Sequence, residues 1–65
     1  MLTARELEVF RLVGKGFNAR EIAEQIHLGI STIDTYRERI KHKLRLRNAF
    51  ELYTRAAQCA HEQVG

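Results

Sequence analysis

Apolar residues recur along this chain at spacings of three and four, the mark of helices that turn one face to a core. The first cluster is Val9, Leu12 and Val13, with Phe10 at its edge. The second is Ile22, Ala23 and Ile26, followed by Leu28, and the third is Ile33, Ile40 and Leu44. Leu46 is placed to plug the next loop. Beyond it, Phe50, Leu52, Tyr53, Ala56, Ala57, Cys59, Ala60 and Val64 fill one half of a helical wheel. Glu51, Thr54, Arg55, Gln58, His61 and Glu62 fill the other half.

The breaks between these clusters carry helix-start signals. Proline is absent, and the glycines stand only at breaks, at Gly14, Gly16, Gly29 and Gly65. A capping residue is followed three positions later by an acid at Thr3/Glu6, Asn18/Glu21, Ser31/Asp34 and Asn48/Glu51. Each pair has the form of a capping box, in which two side chains satisfy N–H groups that a helix start leaves without partners. Asp34 is the looser match, because its shorter side chain reaches back less well. These signals predict an all-α domain of four helices, near 4–14, 19–26, 32–44 and 49–62. Leu2 with Leu7 and Phe17 with Ile22 add hydrophobic staples to the first two starts. The third start breaks the rule. Ile30 precedes its expected cap, but the staple position is Thr35, and a local rule broken at one place marks a region to search for function.

Length and charge narrow the class. Sixty-five residues make one small domain, and a chain of that size buries only roughly 60% of its unfolded surface. Cys59 is the single cysteine, so no internal disulfide can form. His27, His42 and His61 lack ligand spacing to one another or to Cys59, so no metal and no cofactor are expected. The net charge is only +3. Its distribution is uneven: residues 37–47 hold Arg37, Arg39, Lys41, Lys43, Arg45 and Arg47 against Glu38 alone, a local charge of +5. A basic patch of this kind suits a polyanion, although a solvated helix face would look the same by charge alone. No apolar run is long enough to span a membrane. No signal peptide is visible, and a free thiol fits a reducing, cytoplasmic setting. The chain starts almost on a helix cap, as expected of a domain cut from a longer protein.

Residues 18–44 read as a short helix, a three-residue turn and a second helix that becomes strongly basic. That is the arrangement of a helix-turn-helix, which lays its second helix in the major groove of double-stranded DNA. With Ile33 at zero and steps of about 100°, Ile40 and Leu44 face the core and Arg37 lies on their flank. Ser31, Thr35, Glu38 and His42 collect on the opposite side, bordered by Asp34, Arg39 and Arg45. Asp34, Thr35 and Glu38 are therefore the candidates for base contacts, since carboxylates accept from cytosine N4 and threonine meets the thymine methyl. Thr32, Tyr36, Arg39, Lys43 and Arg45 are the candidates for contacts to the DNA backbone, which position without specifying. Structural alternatives stand beside these roles. Asp34 can serve as a capping acid, Glu38 can pair with His42 or Lys41, Lys43 and Arg45 can favour a helix C-terminus, and Tyr36 can simply pack.

At this point the residues resemble a known family. Leu2, Thr3, Arg5, Glu6, Glu8 and Val9, then Gly16, Glu21, Ile22 and Ala23, then Ser31, Thr32, Ile33, Ile40, Lys43 and Leu44, with Glu51 beyond, resemble the LuxR-type helix-turn-helix of NarL/FixJ response regulators. The resemblance covers essentially the whole chain. It implies a four-helix DNA-binding domain, the C-terminal effector part of a longer two-component transcription regulator. It also implies that the third helix enters the major groove and that the fourth often dimerises. The implied base contacts fall on Asp34, Thr35 and Glu38, and implied backbone contacts on Thr32, Tyr36 and Lys43. Asp34 stands where a lysine is common, and Tyr36 where a histidine is common.

The apolar half of the fourth helix is wider than one small core requires. A homodimer face on Leu52, Ala56 and Cys59 is therefore expected, the alternative being that the whole stripe packs on helices one and three. Cys59 reads as a small packing residue rather than a redox switch. RNA polymerase is a further candidate partner, and no small-molecule ligand is expected. Two rival readings remain: a promoter-reading region of the sigma-factor type, which would depend on polymerase, and a helical module whose basic face binds an acidic protein. An enzyme is not expected, because the sequence carries no nucleophile–base constellation, phosphate-cradling glycine loop or metal cluster.

Overall fold

Thr3 and Glu6 form the first helix start as their spacing predicts. The Thr3 hydroxyl accepts the Glu6 N–H at 3.2 Å, and Glu6 Oε1 accepts the Thr3 N–H at 2.8 Å. Asn18 and Glu21 repeat the exchange at 2.9 Å in both directions. A computed structural model describes the backbone of residues 1–64 and the side chains of residues 1–59. Ala60, His61, Glu62 and Val64, assigned above to faces of the fourth helix, lie outside the described side chains. Four helices follow in order: α1 (Ala4–Gly14), α2 (Ala19–Ile26), α3 (Ile30–Lys43) and α4 (Ala49–Val64). No described helix is long and apolar enough to cross a membrane.

α1 is the central element and packs on α4, α3 and α2. Val9, Ile22, Ile33, Ile40 and Leu52 are completely buried at the junction, with Phe10, Val13, Ala23 and Ala56 around them. Phe10 belongs to this core rather than its edge, and Leu12 is half-buried. Ile26, Leu28, Leu44 and Leu46 pack against the core from its margins.

The third helix departs from expectation at its start. It begins at Ile30, and its N-cap is Gly29, which makes no side-chain capping bond. The Gly29 carbonyl accepts the N–H groups of Thr32 and Ile33, both at 3.1 Å, so the chain is already helical before Ser31. Ser31 therefore lies inside the first turn, Asp34 lies beyond it, and the Ser31/Asp34 capping box does not form. The local pattern matched, but the three-residue turn and the burial of Ile33 set the helix phase instead. At α4, Asn48 Oδ1 accepts the Glu51 N–H at 2.9 Å, while Glu51 Oε1 accepts the Arg47 N–H at 2.7 Å rather than that of Asn48.

The fourth helix also corrects an expectation. Leu52 is 0% exposed and Ala56 1%, so both lie inside this monomer's own core and offer no surface to a second copy. Cys59 is half-buried against the same core. The surface left open on α4 carries Phe50, Tyr53 and Ala57 instead.

Candidate nucleic-acid interface

α2 and α3 are joined by His27, Leu28 and Gly29. His27 closes α2 in the left-handed region, at φ 59°, and Leu28 N–H returns to the Ala23 carbonyl at 3.0 Å. This sharp reversal fixes α3 against α2 while leaving its far side bare. Ser31, Asp34, Thr35, Glu38, Arg39 and His42 are all exposed there. Their spacing makes one continuous face, three turns long, opposite the buried Ile33 and Ile40. The expected base-reading set, Asp34, Thr35 and Glu38, is therefore brought together on one surface. Among the expected backbone contacts, Arg39 is exposed on the same face, while Thr32 and Tyr36 are half-buried at its border.

The two acids on this face have cationic partners. Glu38 Oε2 lies 2.6 Å from Lys41 Nζ, and Asp34 Oδ1 lies 3.6 Å from Arg37 Nη1. Such exposed pairs add little stability, about 0–1 kcal/mol. Their larger consequence here is electrostatic, because they offset negative charge on a face bordered by cations. The Thr35 hydroxyl donates to the Ser31 carbonyl at 3.1 Å, which leaves its methyl as the group available to an apolar surface. Arg39 lies 5.9 Å from the centroid of the Tyr36 ring, within cation–π range, so these two neighbours hold each other at the border.

Lys43 has a partner that sequence reasoning did not find. Its Nζ is 2.7 Å from Glu6 Oε1, and the Glu6 side chain is only 2% exposed. The Lys43 ammonium is the foremost cause that holds the Glu6 carboxyl below the ordinary carboxylate value, and the Thr3 N–H adds to it. The start of α1 is thus tied to the end of α3, while the Lys43 side chain keeps 36% of its surface open. A signal for this was present: Glu6 falls on the same stripe as Val9, Phe10 and Val13, and a charge on a core stripe requires a partner.

Arg45 lies just past α3, not within it. It adopts φ 57°, donates to the His42 carbonyl at 3.2 Å, and is followed by Leu46, whose N–H reaches the Lys41 carbonyl at 2.8 Å. This is a Schellman motif with arginine at the position glycine normally holds. α1 ends in the same way, with Gly16 at φ 95° and the return bond from Phe17 N–H to the Leu12 carbonyl at 3.2 Å. A surface depression of about 850 Å³ lies between α1 and α2, with Leu7, Arg11, Leu12 and Ile26 among its walls, and shares no residue with the α3 face.

Two short helices, a tight turn and a bare, cation-bordered second helix define a helix-turn-helix domain of the kind used in DNA-binding transcription regulation. The family model GerE, described as bacterial regulatory proteins of the luxR family, matches residues 1–56. The chain belongs to this family. It is 36% identical over 52 residues to the oxygen regulatory protein NreC of Staphylococcus carnosus, covering 80% of this chain and 24% of that protein. It is 37% identical over 59 residues to the tetrathionate response regulatory protein TtrR of Salmonella typhimurium, covering 91% of this chain and 29% of that protein. The same 36% over 52 residues, with 80% and 24% coverage, relates it to NreC of Staphylococcus aureus. The chain thus spans between 24% and 29% of the length of these relatives. No solved structure matches it.

Proposed function

We propose that this chain is the DNA-binding part of a longer response regulator and that it reads duplex DNA through α3 in the major groove. The observation that carries the reading is the bare face of α3 from Ser31 to His42, bordered by Arg39, Lys43 and Arg45. Asp34, Thr35 and Glu38 meet base edges. Arg39, Lys43 and Arg45 meet phosphates, together with Thr32 and Tyr36. The uncapped start of α3 at Gly29 supports this assignment, because N–H groups without a side-chain partner are suited to a phosphate oxygen. Arg45 supports it as well: a non-glycine residue sits in the left-handed region against its own backbone preference, and such outliers gather at functional positions. The relatives named for oxygen regulation and the tetrathionate response support a signal that reaches this domain from elsewhere in its regulator.

A homodimer through α4 remains part of the proposal, with its contacts revised to Phe50, Tyr53 and Ala57. These lie one and two turns apart on the open side of the helix, and Phe50 is 76% exposed. Two paired domains would read inverted half-sites about 34 Å apart.

The test is a titration with short duplexes across a range of salt, followed by selection from a randomised duplex pool. Release of counterions from three cations predicts a log–log salt slope of about −3 per domain. Paired, inverted half-sites are the expected product of the selection. Absence of binding at low salt overturns the reading. Salt-sensitive binding with no enriched sequence removes Asp34, Thr35 and Glu38 from their base-reading roles.

A further inference from the structure

Three observations converge on Arg37, a residue on the flank of α3 that has no direct part in the reading face. Its guanidinium carbon lies 5.3 Å from the ring centroid of Tyr53 on α4, and Nη2 donates to the Tyr53 hydroxyl. Its Nη1 lies 3.6 Å from Asp34 Oδ1, one turn back on α3. Its Nε is buried and has no hydrogen-bond partner among the described residues. A buried donor without an acceptor is costly, so packing alone would favour an apolar side chain at this place. What arginine supplies is the far end of its side chain, where one planar fork meets two different elements.

That geometry has a consequence for Asp34. The guanidinium is rigid, so an arm fixed on Tyr53 sets the direction of the other arm. The Asp34 side chain is 60% exposed and, apart from this contact, is free to choose among its rotamers. We propose that Arg37, seated on Tyr53, is a positioning residue for base reading: it holds the Asp34 carboxylate where it can accept a hydrogen bond from a base amino group. The major groove offers such a donor at cytosine N4. The pair also offsets the negative charge that Asp34 would otherwise present to nearby phosphates. This inference rests on the proposed reading of DNA through α3.

The experiment compares the selected duplex with single-base variants of it, for the unaltered chain, Asp34→Ala, Arg37→Lys, Tyr53→Phe and the doubles with Asp34→Ala. Asp34→Ala is expected to flatten the preference at one base pair. Arg37→Lys keeps the charge but loses the fork, and lowers the same preference by about 2- to 5-fold, the most that a partly exposed ion pair of up to about 1 kcal/mol can transmit. Tyr53→Phe keeps the ring and removes only the hydroxyl acceptor; it lowers the same preference to a smaller extent, and it carries the test if Arg37→Lys fails to fold. Neither change has a further effect on preference once Asp34 is alanine. A purely structural Arg37 would instead shift the melting temperature, and the affinity for all duplexes together, with the preference ratio unchanged; that result overturns the inference. If the unaltered chain discriminates and Asp34→Ala abolishes this while Arg37→Lys and Tyr53→Phe do not, only the inference fails. If the unaltered chain shows no preference at all, the base-reading function fails and takes the inference with it.

Discussion

α1 starts at Thr3, in a reciprocal exchange with Glu6, and ends at Gly16, which adopts φ 95° without strain. α3 has Gly29 as its N-cap, which offers no side-chain cap, and is followed by Arg45 at φ 57°, where a glycine would be easier. Both helices are held by the same kind of buried stripe, Val9 and Val13 on one, Ile33 and Ile40 on the other. Apart from the buried Glu6 of α1, they differ mainly at their ends. Both helices close with the same pair of return hydrogen bonds, but α3 lacks the side-chain cap of α1 and carries arginine where α1 carries glycine, which leaves N–H donors and a cation, groups that suit a polyanion, at its two ends. α1 is finished as a scaffold; α3 is finished as a surface.

The comparison can be broken or sharpened by substitution. Lys43→Ala should have the largest effect, because it leaves the buried Glu6 without its cation and also removes a proposed phosphate contact. The melting temperature falls, every duplex binds more weakly, and the salt slope becomes less negative by about 1. Next is Gly16→Ala. Nothing lies within 4 Å of the added methyl, so its effect is a pure backbone one, a loss of about 1–2 kcal/mol of unfolding free energy in a denaturant titration. Arg45→Gly should do the reverse, raising stability by about 1 kcal/mol while weakening DNA binding; a gain in both would remove Arg45 from the interface. Smallest is the capping contrast. Thr3→Ala should cost about 1 kcal/mol, whereas Ser31→Ala should stay within about 0.5 kcal/mol, because Ser31 caps nothing.

Acid titration probes the tie between the two helices. The Glu6 carboxyl is held below its ordinary value of 4.5 in the folded chain, so it binds a proton more readily when unfolded. Its stabilisation is fully present above that value and is lost as pH falls through the lower, folded value. Thermal melts should therefore show the unaltered chain losing stability on the acid side more steeply than Glu6→Gln, with the gap between them narrowing as pH falls.

Much of this was legible in the chain because it is local. Thr3 with Glu6 and Asn18 with Glu21 interact across three positions, so spacing alone reveals them. Ser31 with Asp34 shows the limit: the pattern was the same, but Ile33 and Ile40 had to reach the core from a three-residue turn, and that moved the cap to Gly29. The exposed face with Asp34, Thr35 and Glu38 followed from the helical period and the burial of Ile33. The wide stripe of α4 was visible too, yet a wheel cannot divide apolar residues between a chain's own core and a second copy. Leu52 and Ala56 went to the core, and Phe50 and Tyr53 were left outside. Glu6 with Lys43 and Arg37 with Tyr53 are 37 and 16 residues apart, and only the packing of α1 and α4 against α3 brings them together.

The most direct measurement is the change in backbone amide chemical shifts on adding the selected duplex to the isotope-labelled chain. The largest changes are expected along the bare side of α3, from Ser31 to Lys43, and at Arg45, with Gly29 and the first N–H groups of α3 included. The cleft between α1 and α2 should be nearly silent. Largest changes in that cleft or along α4, with α3 unmoved, would contradict the account.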